Sequence, residues 1–372
     1  MNKERYLALD VFRGMTICFM IIVNSPGSWD VAYAPLLHAV WHGFTPTDLV
    51  FPSFLFAVGN AMAFSLPKYE GQGDKVFWTK TLKRTFIIFM LGFLMYWFPF
   101  VQPSGDGLMM RPFSDTRILG VLQRIALCYF GASVILHYGS KNFAIWFSVF
   151  ALISYWIISY VFGTTSDPYS LAGNAGLKLD MFLIGDKHLY HGEGLAFDPE
   201  GFLGTLPAIV NVIGGYLVGD FIRKNGNTYE TVAKLMITGA VLIFLALTWN
   251  LAFPINKKLW TSSFVLLTVG MDLMILPLLI FSIEMKKYTA WTPFFLVFGR
   301  NPLFIYLLSE LLLIVLYIIA VGDRSLQQVF FNDVLLKIAS PINASLLFAI
   351  LFMLTCWIVG YFLDKRKIYI KV

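Results

Sequence analysis

The sequence predicts an all-α polytopic membrane protein, a bundle of about ten transmembrane helices with a long extracytoplasmic loop between the fifth and sixth. Composition is the first reason. Of 372 residues, 58% are apolar and only 13% charged, with mean hydropathy +0.71. A soluble domain is nearer half apolar and a quarter charged. The second reason is length: a spanning helix needs about 20 mostly apolar residues. Runs of that kind fall at 8–25, 47–66, 82–102, 116–137, 142–162, 203–222, 232–251, 259–283, 293–320 and 342–363. The third is charge placement. With both termini cytoplasmic, the cytoplasmic segments hold seventeen basic residues and the opposite side eight. Positive charge concentrates on the cytoplasmic side of membrane proteins. The net charge of +6 therefore records topology and does not indicate nucleic acid.

The elements follow in order. The first run contains Arg13 and lacks a small-residue cleavage site, so it stays as a helix and is not a removed signal. A short stretch, Leu37-His38-Ala39-Val40-Trp41-His42-Gly43, separates it from the second run, which opens at Thr47-Asp48. The ninth run is long enough to be tilted or broken near Gly299-Arg300-Asn301-Pro302. The loop 163–202 is the largest piece outside the apolar runs, and loops of this length are commonly functional or disordered. The chain reads as one integral membrane domain over 1–372, without an internal repeat or a low-complexity tract. Cys18, Cys128 and Cys356 sit inside apolar runs without CxxC or CxxH spacing, as buried small hydrophobes and not as a disulfide or zinc framework.

Chemistry concentrates where ionisable or amide groups interrupt this apolar background. A charge at mid-bilayer costs roughly 2.5–3.5 kcal/mol on insertion scales, so it tends to be kept for pairing or function. Asp10 and Arg13, one turn apart, are placed to pair with each other; Arg124 and Arg300 lie deeper and suit an anionic ligand, since arginine grips phosphate through two hydrogen bonds. His38 and His42 have the spacing of an HxxxH metal pair, but no Glu lies between them and no third ligand is evident. His42 to Asp48 is one residue too long for the HxxxxD pattern of glycerolipid acyltransferases. A neutral imidazole at His38 can take a proton from an attacking amine or hydroxyl. Asn24, at the end of the first run, can hydrogen-bond a carbonyl oxygen as it becomes negative. An interfacial histidine satisfied by backbone or water remains the competing account. His188, His191, Asp198 and Glu200 fall in the long loop, where they bind substrate or are solvated; Asp198-Pro199-Glu200-Gly201 also reads as a helix start. No P-loop, dinucleotide fingerprint or Gly-x-Ser-x-Gly elbow occurs.

Together the ordered motifs resemble the heparan-α-glucosaminide N-acetyltransferase family. They are Leu9-Asp10-Val11-Phe12-Arg13-Gly14, Ile22-Val23-Asn24, His38 through Thr45, and Asp48-Leu49-Val50-Phe51-Pro52. Gly120-Val121-Leu122-Gln123-Arg124, Asp186-Lys187-His188-Leu189-Tyr190, Phe197 through Gly201, Leu203-Gly204-Thr205 and Pro254 through Trp260 continue the series. The resemblance implies a membrane-embedded acyltransferase that moves acetyl from cytosolic acetyl-CoA to the amine of a glucosamine across the membrane. It puts the family's active-site histidine on His38 and the paired asparagine on Asn24. It places Asp48, His42, His188, Asp198 and Glu200 on the acceptor side. Arg13, Arg124, Arg300 and Asn301 become candidates for the CoA phosphates, and no metal is implied. The expected partners are acetyl-CoA, an amino-sugar or glycan acceptor, the lipid bilayer and a second copy of the chain in a homodimer. Lysosomal members carry an additional N-terminal luminal region and helix, whereas this chain starts at the segment after them. With its short basic loops, that implies a bacterial inner-membrane enzyme. The segment between Asn24 and His38 is longer here, and His42 stands where the family has asparagine, so the acceptor is left open. A sugar or amino-sugar transporter and a polysaccharide O-acetyltransferase are the alternative functions.

Overall fold

The computed structural model describes residues 6–69, 71–104 and 107–370. In chain order the main helices are α1 (Leu7–Asn24), α2 (Pro46–Ser65), α3 (Asp74–Trp97), α4 (Val121–Tyr138), α5 (Lys141–Phe162), α6 (Ala175–Leu183), α7 (Phe202–Asn225), α8 (Tyr229–Trp249), α9 (Ser262–Leu279), α10 (Thr292–Arg300), α11 (Pro302–Ile318) and α12 (Pro341–Lys365). Two short antiparallel hairpins complete the chain, pairing Val101 with Met110 and Ala320 with Ser325. The protein is therefore an all-α polytopic membrane protein.

Each of the ten expected segments falls on a helix. Among the described residues, eight helices are long and apolar enough to cross a membrane. The ninth expected span is broken: α10 and α11 meet at 84°. Proline disfavours helical backbone in the residue before it. Asn301, preceding Pro302, accordingly has φ −129° and ψ 50° and ends α10. The expected third span is α3, which starts eight residues earlier than its apolar run and carries a charged first half, Asp74 to Arg84. The long loop 163–202 is not structureless, because it contains α6, capped by the Asn174 side chain accepting from Leu177 N at 2.7 Å.

The chain packs as two compact units. The first comprises residues up to 39, 45–54 and 278–371. In it α1 and α10 approach to backbone contact. A Cβ on Gly14 would come within 1.9 Å of the Phe295 carbonyl oxygen, and one on Gly299 within 2.2 Å of the Asp10 carbonyl oxygen. Small residues let two membrane helices approach to backbone contact, where dispersion and not the hydrophobic effect holds them. The second unit comprises residues 40–44 and 55–277. There the second half of α2 meets α7 in the same manner: a Cβ on Gly59 would strike Val212 O at 1.9 Å, and one on Gly215 would strike Phe56 O at 2.0 Å.

Candidate active site

The first unit builds a histidine–carboxylate pair. His38 follows a short 3-10 turn, Ala34–Leu36, and the chain then re-enters a helix at Pro46. Two threonines pin the backbone on either side of the histidine: Thr47 Oγ1 donates to Pro35 O at 3.0 Å, and Thr45 Oγ1 donates to Leu37 O at 2.7 Å. Asp48 lies in the first turn of α2 and is fully buried. Its Oδ1 is 2.7 Å from His38 Nδ1. Its Oδ2 accepts from Ala39 N at 3.2 Å, Thr45 N at 3.0 Å and Thr45 Oγ1 at 3.1 Å. The position of Asp48 at a helix N-terminus favours its negative charge. The network fixes the tautomer: an acceptor-only carboxylate at Nδ1 holds the proton there, so Nε2 carries the lone pair in the neutral ring. The His38 side chain is 34% exposed and Asp48 only 1%. Asp48, expected on the acceptor side, stands behind the histidine with both oxygens engaged by the chain.

Asn24 closes α1, and its Nδ2 donates to Glu310 Oε1 of α11 at 3.4 Å. The three expected CoA-phosphate residues of this unit come together around the α10–α11 break. Arg13 Nε donates to Gly299 O at 2.9 Å and its Nη2 to Asp10 Oδ1 at 2.7 Å. Arg300 Nη1 binds both carboxylate oxygens of Asp364 at 2.8 and 2.6 Å. Asn301 Nδ2 donates to Ile368 O, and its Oδ1 accepts from Ile370 N, both at 2.9 Å. The chain's own acids and C-terminal segment thus occupy these groups, apart from the buried Arg300 Nε, which has no hydrogen-bond partner among the described residues. Arg13 and Asn24 lie eleven residues apart on α1, about 16 Å along its axis at 1.5 Å per residue.

The second unit builds a separate polar cluster on the loop 163–202 and the start of α7. Arg117 reaches Asp198 through Nε at 2.9 Å and Nη2 at 2.7 Å, and the same Nη2 donates to Glu200 at 2.6 Å. Burial opposes the Arg117 charge, but Tyr96, Asp198 and Glu200 together raise the guanidinium well above its usual range. The expected acceptor residues Asp198 and Glu200 are therefore joined, but by a cation that sequence reasoning missed. Arg117 stands at the very start of the fourth apolar run, ahead of α4, and nothing local signals partners 81 and 83 residues away. His188 Nδ1 is 2.8 Å from Thr116 O, where it donates.

His42 takes the opposite tautomer from His38. Asn256 Nδ2 donates to His42 Nδ1 at 3.3 Å, so the neutral ring carries its proton on Nε2. Burial, partly offset by Asp167, pushes the His42 imidazolium to titrate below its ordinary value. The segment 40–44 is held by Gly43 N donating to Ile255 O at 2.8 Å and by the Trp41 indole donating to Tyr169 O at 2.9 Å. Lys258 Nζ donates to Val40 O at 2.9 Å and to Glu193 at 2.6 Å. Arg124, expected beside a CoA phosphate, reaches the loop cluster: its Nη2 donates to Gly201 O at 2.8 Å and it stacks on Trp260 at 5.0 Å.

These features define a class first: a polytopic membrane protein carrying a histidine oriented by a buried carboxylate, the arrangement of a general base. A family model for the catalytic region of heparan-alpha-glucosaminide N-acetyltransferase matches residues 5–247, and the chain belongs to that family. It is 28% identical over 373 residues to the Mus musculus heparan-alpha-glucosaminide N-acetyltransferase, covering 84% of this chain and 54% of the mouse protein. The Homo sapiens protein of the same name is 27% identical over 362 residues, covering 82% of this chain and 53% of the human protein. The chain thus spans about half the length of these relatives.

Proposed function

We propose that this protein is a membrane-embedded N-acetyltransferase that uses acetyl-CoA from the cytoplasmic side and acetylates the amine of a glucosamine-containing sugar on the other side. The observation that carries the reading is the 2.7 Å contact between His38 Nδ1 and buried Asp48, in a chain of this transferase family. Family membership supplies the reaction class, and the pair supplies the base it needs.

Nε2 of His38 removes a proton from the sugar amine as its nitrogen attacks the thioester carbonyl carbon. The carbonyl oxygen takes up negative charge, and the second N–H of the Asn24 amide is suited to stabilise it. The C–S bond then breaks, and the proton held by His38 passes to the departing CoA thiolate, so the imidazole returns to its starting state. Asp48 remains ionised throughout and stabilises the transient imidazolium. A correctly placed base contributes roughly 10²–10⁴-fold, and holding both reactants in one site supplies proximity as well. The approximately 16 Å between Arg13 and Asn24 along α1 suits a donor whose nucleotide and thioester ends lie far apart.

The test uses purified protein in liposomes with labelled acetyl-CoA and glucosamine, wild type beside His38→Ala. N-acetylglucosamine from wild type, and almost none from the variant, supports both the reaction and the base. Equal product from both removes His38 from the mechanism. Unmodified sugar crossing the bilayer without acetylation favours a transporter instead.

A further inference from the structure

Glu310 takes no part in the proton transfers at His38, yet it is the only acidic or basic residue of α11. A charge at membrane depth is costly, so one that is kept pairs with another group or serves the function. Among the described residues no cation pairs with Glu310. The donor that reaches it is Asn24 Nδ2, 3.4 Å from Oε1. Ser309, next to it, is turned back on its own helix, its Oγ donating to Tyr306 O at 2.7 Å. The carboxyl of α11 thus meets the amide that ends α1, and both side chains belong to the first unit.

A structural tie between α1 and α11 does not account for this contact. A hydrogen bond of 3.4 Å is long and weak. Interhelical hydrogen bonds in membranes add little even when well made, and this one returns less than the carboxyl loses by leaving water. α1 is already fastened to α10 at backbone contact through Gly14 and Gly299. The Asn24 and Glu310 side chains are also half-buried and not sealed into the core.

What the contact fixes is the orientation of an amide. An asparagine side chain has a donor end and an acceptor end of nearly the same shape, and only the donor end stabilises an oxyanion. A carboxylate oxygen accepts and does not donate. Turning Asn24 over would set its carbonyl oxygen against Glu310, acceptor facing acceptor. With the NH₂ group held on the Glu310 side, one N–H is used there and the second has no partner among the described residues. We propose that Glu310 is a positioning residue for acetyl transfer, holding the Asn24 amide so that its second N–H meets the carbonyl oxygen of the thioester. Glu310 then does for Asn24 what Asp48 does for His38. Without it the amide is free to present its own carbonyl oxygen to the growing negative charge and repel it. The assignment rests on the acetyltransferase reading and on Asn24 as the oxyanion donor.

The test is a double-mutant cycle on acetyl transfer from labelled acetyl-CoA to glucosamine, using the full chain in liposomes. It compares wild type, Glu310→Leu, Glu310→Gln, Asn24→Ala and the double variant Asn24→Ala/Glu310→Leu. Removing one oxyanion donor costs on the order of 10²–10³ in kcat, so Asn24→Ala should lose about 100-fold. Glu310→Leu should lose about tenfold in kcat with both KM values unchanged, because the donor remains but is no longer held. Glu310→Gln keeps an acceptor for the same N–H and should lose no more than about threefold. In the Asn24→Ala background Glu310→Leu should cost less than about twofold, since no amide is left to orient. The same tenfold loss in both backgrounds, equal losses in Gln and Leu, or full activity in Leu would each overturn the proposal. If Glu310→Leu gives no folded peak on size-exclusion chromatography while Glu310→Gln does, the residue is a structural tie and the positioning role is lost. Full activity in Asn24→Ala removes the amide from the mechanism and Glu310 with it. No product from folded wild type overturns the transferase reading itself, so the two failures are told apart.

Discussion

Replacing Asp48 by asparagine isolates the orienting role of this carboxylate. The side chains are nearly isosteric, but the hydrogen-bond logic reverses. Three donors face Oδ2: Ala39 N, Thr45 N and Thr45 Oγ1. The asparagine carbonyl oxygen must take that position, since an NH₂ there would leave buried donors facing donors at about 1–3 kcal/mol each. The NH₂ is then forced toward His38 Nδ1, 2.7 Å away in the wild type. The ring responds by presenting an unprotonated Nδ1 and moving its proton to Nε2, the nitrogen that must accept a proton in the reaction. An equivalent tautomer error in a serine protease triad lowers kcat by about 10⁴ with the geometry intact. His38 is one-third exposed and so less rigidly held. A loss of about 10³-fold is therefore expected, or about 4 kcal/mol of transition-state stabilisation. The assay is acetyl transfer from labelled acetyl-CoA to glucosamine in liposomes, with size-exclusion chromatography confirming the fold and the wild-type KM for acetyl-CoA retained. An Asn variant keeping more than a tenth of wild-type kcat would refute the tautomer argument.

Other expectations follow from the same geometry. Arg117→Met leaves Asp198 and Glu200 buried beside each other without their cation; breaking a buried ion pair this way costs about 3–5 kcal/mol, to be read as a fall in thermal midpoint. Gly14→Ala drives a methyl into the Phe295 carbonyl and should separate α1 from α10, lowering stability by at least the ~1–3 kcal/mol of overpacking, whereas Ala at the exposed, unopposed Gly71 acts only through its φ of +80°. Asp180 gives a pH signature. Its folded carboxyl titrates near 6 against 3.8 for the free group, so the folded state holds the extra proton between those values. The contribution of this group to stability is then greatest in acid and falls as pH rises from about 4 to about 6. Thermal midpoints of wild type and Asp180→Asn across pH 4 to 7 should diverge in that direction, and parallel curves would remove the buried carboxyl from the account.

Much of the fold is legible in the sequence because a bilayer imposes a coarse rule. Lipid supplies no hydrogen bonds to the backbone, so each long apolar run must become a helix. Even the break at Asn301 is readable, since the proline after it forbids helical backbone locally. The starts of helices are less legible. The first half of α3 carries charges that a hydropathy criterion rejects, although the helix continues through them. Within the site, His38 and Asn24 stand out as polar groups beside apolar runs. Arg117 and Asn256 do not, because their importance lies in partners 81 and 214 residues away. The same limit explains Asp48 and Arg124, whose residue types suit several ligands and whose neighbours decide among them.

By itself the sequence determined that this is a polytopic helical membrane protein of one transferase family, with a histidine-containing segment after the first membrane run. Those conclusions depend on apolar length and on the order of short motifs, both of which are properties of the chain. Tertiary structure alone decided that Asp48 pairs with His38, that Arg117 bridges Asp198 and Glu200, and that Arg300 pairs with Asp364. It also decided that Arg124 donates to Gly201 O and stacks on Trp260. The physical reason is common to all of these: a buried charge or amide takes its role from the group that satisfies it, and folding brings that group from elsewhere in the chain.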